Sequence, residues 1–277
     1  MGTLVATVAM THNPRMFWNE AAATDDDRNA VRAAFDVGRA AIRDAAPDVI
    51  LVIGNDHMDQ FSYDNLPGFA VALGDRMEGP FWYEDEIMRL PSYSAPVHTA
   101  LATDVLHGAY ESGFEPSRCE NYRVDHAFTI PLDAMVPGAG IPVVPVFTNT
   151  FGPPLPSSRR CYEFGRMLRS VIDGRPDDER IAVVGSFNLS VEVGGPMMGQ
   201  RNTGFDERVL ALMEAGDTDR LVNELEPHRL VRYGNSTAEF LNYQATLGVV
   251  GERKPDVVWY RLVKAWGGCP IVVWSTP

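Results

Sequence analysis

Residues 49–53 read VILVI, five apolar residues in a row with no polar position among them. A run of this kind has no side meant for water, so it fits a strand buried on both faces, as in a parallel sheet covered by helices. Residues 3–10, TLVATVAM, form a second β-branched and apolar run. Between the two, Thr24-Asp25-Asp26-Asp27 supplies an acidic helix start, and Val31, Ala34, Phe35, Gly38, Ala41 and Ile42 fall on one helical stripe. Strand, helix and strand in this order imply a crossover, so the two strands are expected to be parallel and the unit right-handed.

The pattern recurs downstream. Ile141 to Thr148 (IPVVPVFT) reads as a strand, Cys161 to Ile172 as an amphipathic helix and Ile181 to Val184 (IAVV) as the next strand. Ala95 to Gly113 reads as a further helix and Cys269 to Trp274 as a closing strand. Phe205 to Gly251 reads as mostly helical, with breaks near Gly216, Pro227 and Gly234. No repeat or interdomain linker is evident. The expected fold is therefore α/β, one large domain over residues 1–277 with a mostly parallel central sheet flanked by helices. The Pro- and Gly-rich segments at 151–156 and 194–199 fit loops over a site and ordinary surface loops equally well.

With 45% hydrophobic and 22% charged residues, the 277-residue chain can bury a large core. Its net charge of −13 would repel a phosphate backbone, so nucleic acid is not an expected partner. There is no signal-peptide pattern and no apolar run of about 18 residues, so a cytoplasmic protein without a membrane span is expected. Cys119, Cys161 and Cys269 are odd in number and form no CxxC pair, which argues against a disulfide framework or a thiolate zinc site. A metal here would have to be held by nitrogen and oxygen.

His12 follows the first run, in Thr11-His12-Asn13-Pro14, and His57 follows the second, in Gly54-Asn55-Asp56-His57. Ligands of open α/β sheets sit beyond the carboxyl ends of the strands, so two histidines at two such ends are placed to converge. Either one alone also fits a turn or cap. Glu239 ends Gly234-Asn235-Ser236-Thr237-Ala238-Glu239, where it fits a carboxylate complementing a helix N-terminus. Joined to the two imidazoles, it would instead complete a facial triad of the type that leaves adjacent positions open on non-haem Fe(II). His126, in Val124-Asp125-His126, suits proton transfer at a hydroxyl or a bound oxygen species, or else a buried ring satisfied by backbone groups. Asp125 is its neighbour in sequence, which does not by itself orient the ring. His98 and His107 fall in a helical pattern and His228 in a loop after Pro227.

Together with Pro131-Leu132, with Val143-Val144-Pro145-Val146 and Asn149, and with the Gly234 to Glu239 run, these motifs resemble in order and spacing the class III, LigB-type, extradiol ring-cleavage dioxygenases. The protocatechuate 4,5-dioxygenase catalytic subunit belongs to that family. The resemblance runs from about Val5 to Trp274. It implies a LigB-like α/β fold, Fe(II) held by His12, His57 and Glu239, and insertion of both atoms of O2 into a catecholic aromatic. His126 matches an acid/base histidine of the family. The resemblance also implies a small aromatic substrate and either a homo-oligomer or a small helical partner subunit; no fused partner domain is evident, which favours the homo-oligomer.

One position departs from the family. After the 181–184 strand a Gly-rich turn and Ser-His are usual, whereas this chain has Gly185-Ser186-Phe187-Asn188-Leu189-Ser190-Val191, with Val191 at the place of the histidine. Valine cannot transfer a proton. The chain then reads as a natural variant needing only His126, an inactivated variant, or a non-oxygenating paralogue that binds metal or an aromatic. Asn13, Phe187, Asn188, Val191 and Ser236 are the expected substrate-lining residues, although each polar one also suits a turn. Arg15, Arg123 and Arg201 are candidates for a substrate carboxylate.

Overall fold

In the computed structural model, which describes residues 2–176 and 178–275, the run at 49–53 lies at the heart of the sheet with every side chain buried. Residues 1, 177, 276 and 277 of the expected domain lie outside the described residues. The chain opens with β1 (Thr3–Met10), a short α1 (Arg15–Trp18), α2 (Asp25–Ala45) and β2 (Val49–Gly54). Next come β3 (Phe69–Ala72), β4 (Arg76–Gly79), α3 (Trp82–Met88), β5 (Tyr93–Pro96), α4 (Thr99–Glu111) and β6 (Ser117–Cys119). The middle holds α5 (His126–Met135), β7 (Val143–Thr148), α6 (Ser158–Asp173) and β8 (Arg180–Ser186). Helices α7 (Thr203–Ala215), α8 (Thr218–Asn223), α9 (Pro227–Leu230) and α10 (Phe240–Val250) precede β9 (Val257–Val263) and β10 (Gly267–Trp274).

Eight strands form one sheet in the order β6-β3-β7-β2-β8-β1-β10-β9. Its centre is parallel: β1 pairs with β8, β8 with β2, and β2 with β7. Antiparallel neighbours close it on both sides, β10 against β1 and β3 against β7. Because successive side chains of a strand point to opposite faces, VILVI feeds two cores. Ile50 and Val52 join Ala34 and Ile42 of α2 and Leu132 and Met135 of α5. Leu51 and Ile53 join Leu101, Phe164, Leu168, Leu241 and Ala245 of α4, α6 and α10 on the other face.

Within the second layer α6 and α10 touch backbone to backbone. A Cβ on Gly165 would stand 1.9 Å from the Ala245 carbonyl oxygen, and one on Gly248 would stand 2.0 Å from that of Tyr162. This approach seats α10, and with it the turn that carries Glu239, against the sheet.

The acidic helix start is a working N-cap, with Thr24 Oγ1 accepting from the Asp27 backbone N–H at 3.1 Å. The 95–113 helix begins later than its pattern suggests. Residues 93–96 are a strand, consistent with a proline at 96 disfavouring helix before it, and His98 caps α4 by accepting from Leu101 N–H at 3.1 Å. His228 lies in the short α9 rather than in a loop. β3, β6 and β9 were not evident from sequence, because β3 and β6 are very short and β9 is half-buried with no clean alternation. Among the described residues no helix is long and apolar enough to cross a membrane.

Candidate active site

The four parallel strands end on one edge, and the chain leaves three of them directly into polar residues, β1 into Thr11 and His12, β2 into Asn55 to His57 and β7 into Asn149 and Thr150, while β8 reaches Asn188 after Phe187. Asn242 on α10 ties this edge together, its Nδ2 donating to Asn55 Oδ1 and to the Ser186 carbonyl, both at 2.8 Å. His12 is 1% exposed. Its Nδ1 lies 2.7 Å from Ser186 Oγ, which turns Nε2 toward Glu239 Oε2 at 3.2 Å.

His57 is held in the same manner by a stronger partner. Its Nδ1 is 2.9 Å from Asp125 Oδ2, the same oxygen accepts from the His57 backbone N–H at 2.6 Å, and Nε2 faces Glu239 Oε1 at 3.3 Å. Asp125 is fully buried and also caps α5, its Oδ1 accepting from Ala127 N–H at 2.7 Å. His126 turns to a different carboxylate. Its Nδ1 lies 2.5 Å from Oε1 of the buried Glu84, which also accepts from the His126 backbone N–H at 3.2 Å, while Glu84 Oε2 accepts from Phe81 N–H. The His57 and His126 rings stack at 4.1 Å between centroids, 18° from parallel. One nitrogen from each of His12, His57 and His126 lies within 4.8 Å of the others.

The charges follow from burial and neighbours. Burial outweighs the pull of Glu239 on His12 and lowers its pKa, which keeps that imidazole neutral. At His57 burial acts in the same direction, but Asp125 and Glu239 overcome it and hold the ring well above the usual histidine value. Burial would raise Asp125, yet the His57 charge and hydrogen bonds bring it down to about 2, and the two imidazoles hold Glu239 lower still relative to an ordinary carboxyl. Burial, reinforced by Asp125, pushes Asp56 up to about 6.

Two imidazole Nε2 atoms and one carboxylate thus face one another with their other ring nitrogens already bonded. Metal–nitrogen and metal–oxygen bonds of about 2.1 Å at right angles separate neighbouring donors by about 3 Å, close to the 3.2 and 3.3 Å found here. The 2.7 Å contact of His12 Nδ1 lets the Ser186 hydroxyl accept from Nδ1–H, the tautomer that leaves the Nε2 lone pair free for a cation. The donor set fits a divalent metal, and the partners on Nδ1 are the outer contacts that fix ring tautomer in such sites.

These groups form the floor of a cavity of about 240 Å³. Trp18, Ile87, Met88, Val191, Val193 and Met198 supply apolar walls, and Arg15 and Arg201 supply positive charge. The loop that carries Val191 is stitched to the turn that carries Glu239. Ser236 N–H donates to the Val191 carbonyl at 3.2 Å, and Val191 N–H donates to Thr237 Oγ1 at 3.2 Å. Gly234 permits this approach: its φ is 141°, and a Cβ there would stand 2.1 Å from the Val191 oxygen. Both Pro- and Gly-rich segments reach the site, since the Phe151 ring is 4.9 Å from the His57 ring and Met198 and Gly199 line the cavity.

The residues singled out in sequence therefore separate. His12, His57, His126, Glu239, Asn13, Asn188 and Val191 border the cavity. Asn13 is spent on local structure, its Nδ2 donating to the Trp266 carbonyl and its Oδ1 accepting from Arg15 N–H. Phe187 is not at the cavity: it is fully buried, its ring 4.8 Å from Tyr243 and 6.1 Å from Phe240, because the residue after Ser186 points to the α10 side. Ser236 is also away from the lining, 2% exposed, with its hydroxyl donating to Asn235 Oδ1. Arg123 serves the Pro80 carbonyl and Glu78 instead. Glu84 and Ser186 were missed. Glu84 is 42 residues from His126, and nothing local to residues 82–88 marks it as more than an acidic helix start.

Comparison with known proteins gives one family and one fold. A family model described as the catalytic LigB subunit of aromatic ring-opening dioxygenase matches residues 6–268. A 2,3-dihydroxyphenylpropionate/2,3-dihydroxicinnamic acid 1,2-dioxygenase of Photorhabdus laumondii is 29% identical over 245 residues, which is 88% of this chain and 73% of that protein. A Rhodococcus enzyme of the same name is 33% identical over 67% of this chain and 56% of its own length. A gallate dioxygenase of Pseudomonas putida is 28% identical over 57% of this chain and 48% of its own. Among solved structures, an uncharacterized Escherichia coli K12 protein, JW3007, superposes with a TM-score of 0.59 at 18% identity, covering 97% of this chain and 99% of that one. That likeness concerns the fold.

Proposed function

The chain belongs to the LigB family of aromatic ring-opening dioxygenases, and on that premise we propose that it is an Fe(II)-dependent extradiol dioxygenase of catecholic substrates, with residues 1–277 acting as one catalytic domain. The observation that carries this reading is the convergence of His12 Nε2 and His57 Nε2 on the Glu239 carboxylate at 3.2 and 3.3 Å. These three residues would hold the iron, which when bound supplies a Lewis acid and the electron path between an electron-rich ring and O2.

The protein's own residues do the rest. Asp125 and Ser186 fix the two ligand rings, so the metal meets preset donors. His126 is the acid/base group: Glu84 holds its Nδ1, which leaves Nε2 to take or return the proton of a ring hydroxyl. The apolar walls accept the ring face, and Val191 adds surface without adding a proton donor.

Two of the relatives act, by name, on a dihydroxyphenylpropionate. An anionic substrate is supported here by Arg201, which donates to the Ser190 and Trp266 carbonyls while its Nε is buried without a partner, as is the Nε of Arg15. The exposed rim of Trp18, Ile87, Val193, Met197 and Met198 supports a covering second copy, or a small helical partner, over the mouth.

Anaerobic loading with Fe(II) followed by a panel of catechols tests the proposal, the expected result being oxygen uptake with a yellow ring-opened product. Full iron stoichiometry in both His12→Ala and His57→Ala would refute the ligand assignment. Val191 favours a second reading, a non-oxygenating protein that binds metal and aromatic. It predicts catechol binding to the loaded protein with no oxygen uptake on any substrate.

A further inference from the structure

Asn188 stands inside the donor set, yet the reaction above makes no use of it. It lies two residues past β8, and its amide bridges two groups. Oδ1 accepts from Thr11 Oγ1 at 2.7 Å, while Nδ2 lies 2.6 Å from Glu239 Oε2 and 3.2 Å from His12 Nε2. These last two separations are close to the spacing of about 3 Å between neighbouring donors on one metal ion. The end of the amide therefore fills a corner adjacent to both His12 and Glu239.

An amide NH2 facing a cation is unfavourable, but the two ends of the amide are nearly isosteric. The Thr11 hydroxyl can accept as well as donate, so a half-turn of the Asn188 amide presents Oδ1 to the corner and Nδ2–H to Thr11 with the backbone unmoved. A neutral carbonyl oxygen is a suitable ligand for a hard or borderline divalent ion. Resting on the ligand reading above, we propose that Asn188 is a fourth protein ligand, binding the metal through Oδ1 beside His12 and Glu239. It occupies one of the positions that two imidazoles and a carboxylate would leave to solvent. Being uncharged, it can yield that position to an incoming ligand by the reverse half-turn.

Mn(II) alone is the probe, added to the full chain without oxygen or substrate. Line broadening of the Mn(II) resonance in ¹⁷O-enriched water counts exchangeable waters. Asn188→Ala is expected to carry one more bound water than the wild type and to bind Mn(II) at least about 10-fold more weakly. Asn188→Asp, which places an anionic oxygen at the same corner, is expected to bind more tightly. Asn188→Ser carries the same expectation as Asn188→Ala should the alanine variant fail to fold. Equal water counts in wild type and variants, with His57→Ala still losing Mn(II), would overturn the Asn188 assignment alone. Unweakened Mn(II) binding by His57→Ala, or none by the wild type, would overturn the ligand reading and Asn188 with it.

Discussion

Asp125 Oδ2 lies 2.9 Å from Nδ1 of His57, 68 residues earlier in the chain, while the ring of its sequence neighbour His126 turns to Glu84. Two buried carboxylates thus serve two stacked imidazoles, one facing the proposed metal and one the proposed substrate. Each pairing can be broken separately.

Replacing Asp125 by asparagine keeps the helix cap, since both residues cap α5 well, but removes the charge behind His57. Metal affinity is expected to fall about 10- to 100-fold, read by anaerobic Co(II) titration, and the metal-free protein should unfold at lower temperature, because the buried His57 loses the anion paired with it. An unchanged affinity would mean that the carboxylate serves only as a cap.

Glu84→Gln addresses the other pair. The Nδ1 contact of His126 loses its anionic partner while the side-chain shape is kept. Turnover should drop by about 10²- to 10⁴-fold, with anaerobic catechol affinity nearly unchanged. A loss confined to KM would instead place Glu84 in substrate binding.

Val191→His should raise oxygen uptake, by up to about 10²- to 10⁴-fold if the new imidazole supplies a missing acid/base group. The side chain already borders the cavity, so the ring has a place to enter. No gain with any catechol would indicate chemistry that needs only His126.

Gly234→Ala forces a Cβ to within 2.1 Å of the Val191 carbonyl at a φ that side chains rarely adopt. A destabilisation of about 1–3 kcal/mol is expected from the strain, measured by urea unfolding. Because this turn leads to Glu239, metal affinity should fall as well.

In the metal-free protein His57 is held protonated above its usual range by Asp125 and Glu239. Its contribution to stability is therefore complete below the ordinary histidine pKa and is lost as pH rises through the raised one. A metal must displace that proton, so binding at neutral pH should release acid and tighten as pH increases toward the raised value. Calorimetry in buffers of different ionisation enthalpy measures the proton count, and a count of zero would contradict the protonated His57.

The sequence by itself determined the parallel centre of the sheet and the placement of His12 and His57 at strand ends. Runs such as VILVI carry their burial in their own composition, and the strand–helix–strand order leaves one crossover sense. It did not determine β3, β6 or β9, whose short or half-polar stretches become strands only because a neighbouring edge offers hydrogen bonds. Tertiary structure alone decided that Asp125 serves His57, that Glu84 serves His126, that Phe187 turns into the α10 core and that Asn188 reaches Glu239. The physical reason is common to all four: a side chain's partner depends on which helix packs over the sheet edge or against its neighbour and at what distance, and no local pattern encodes that distance.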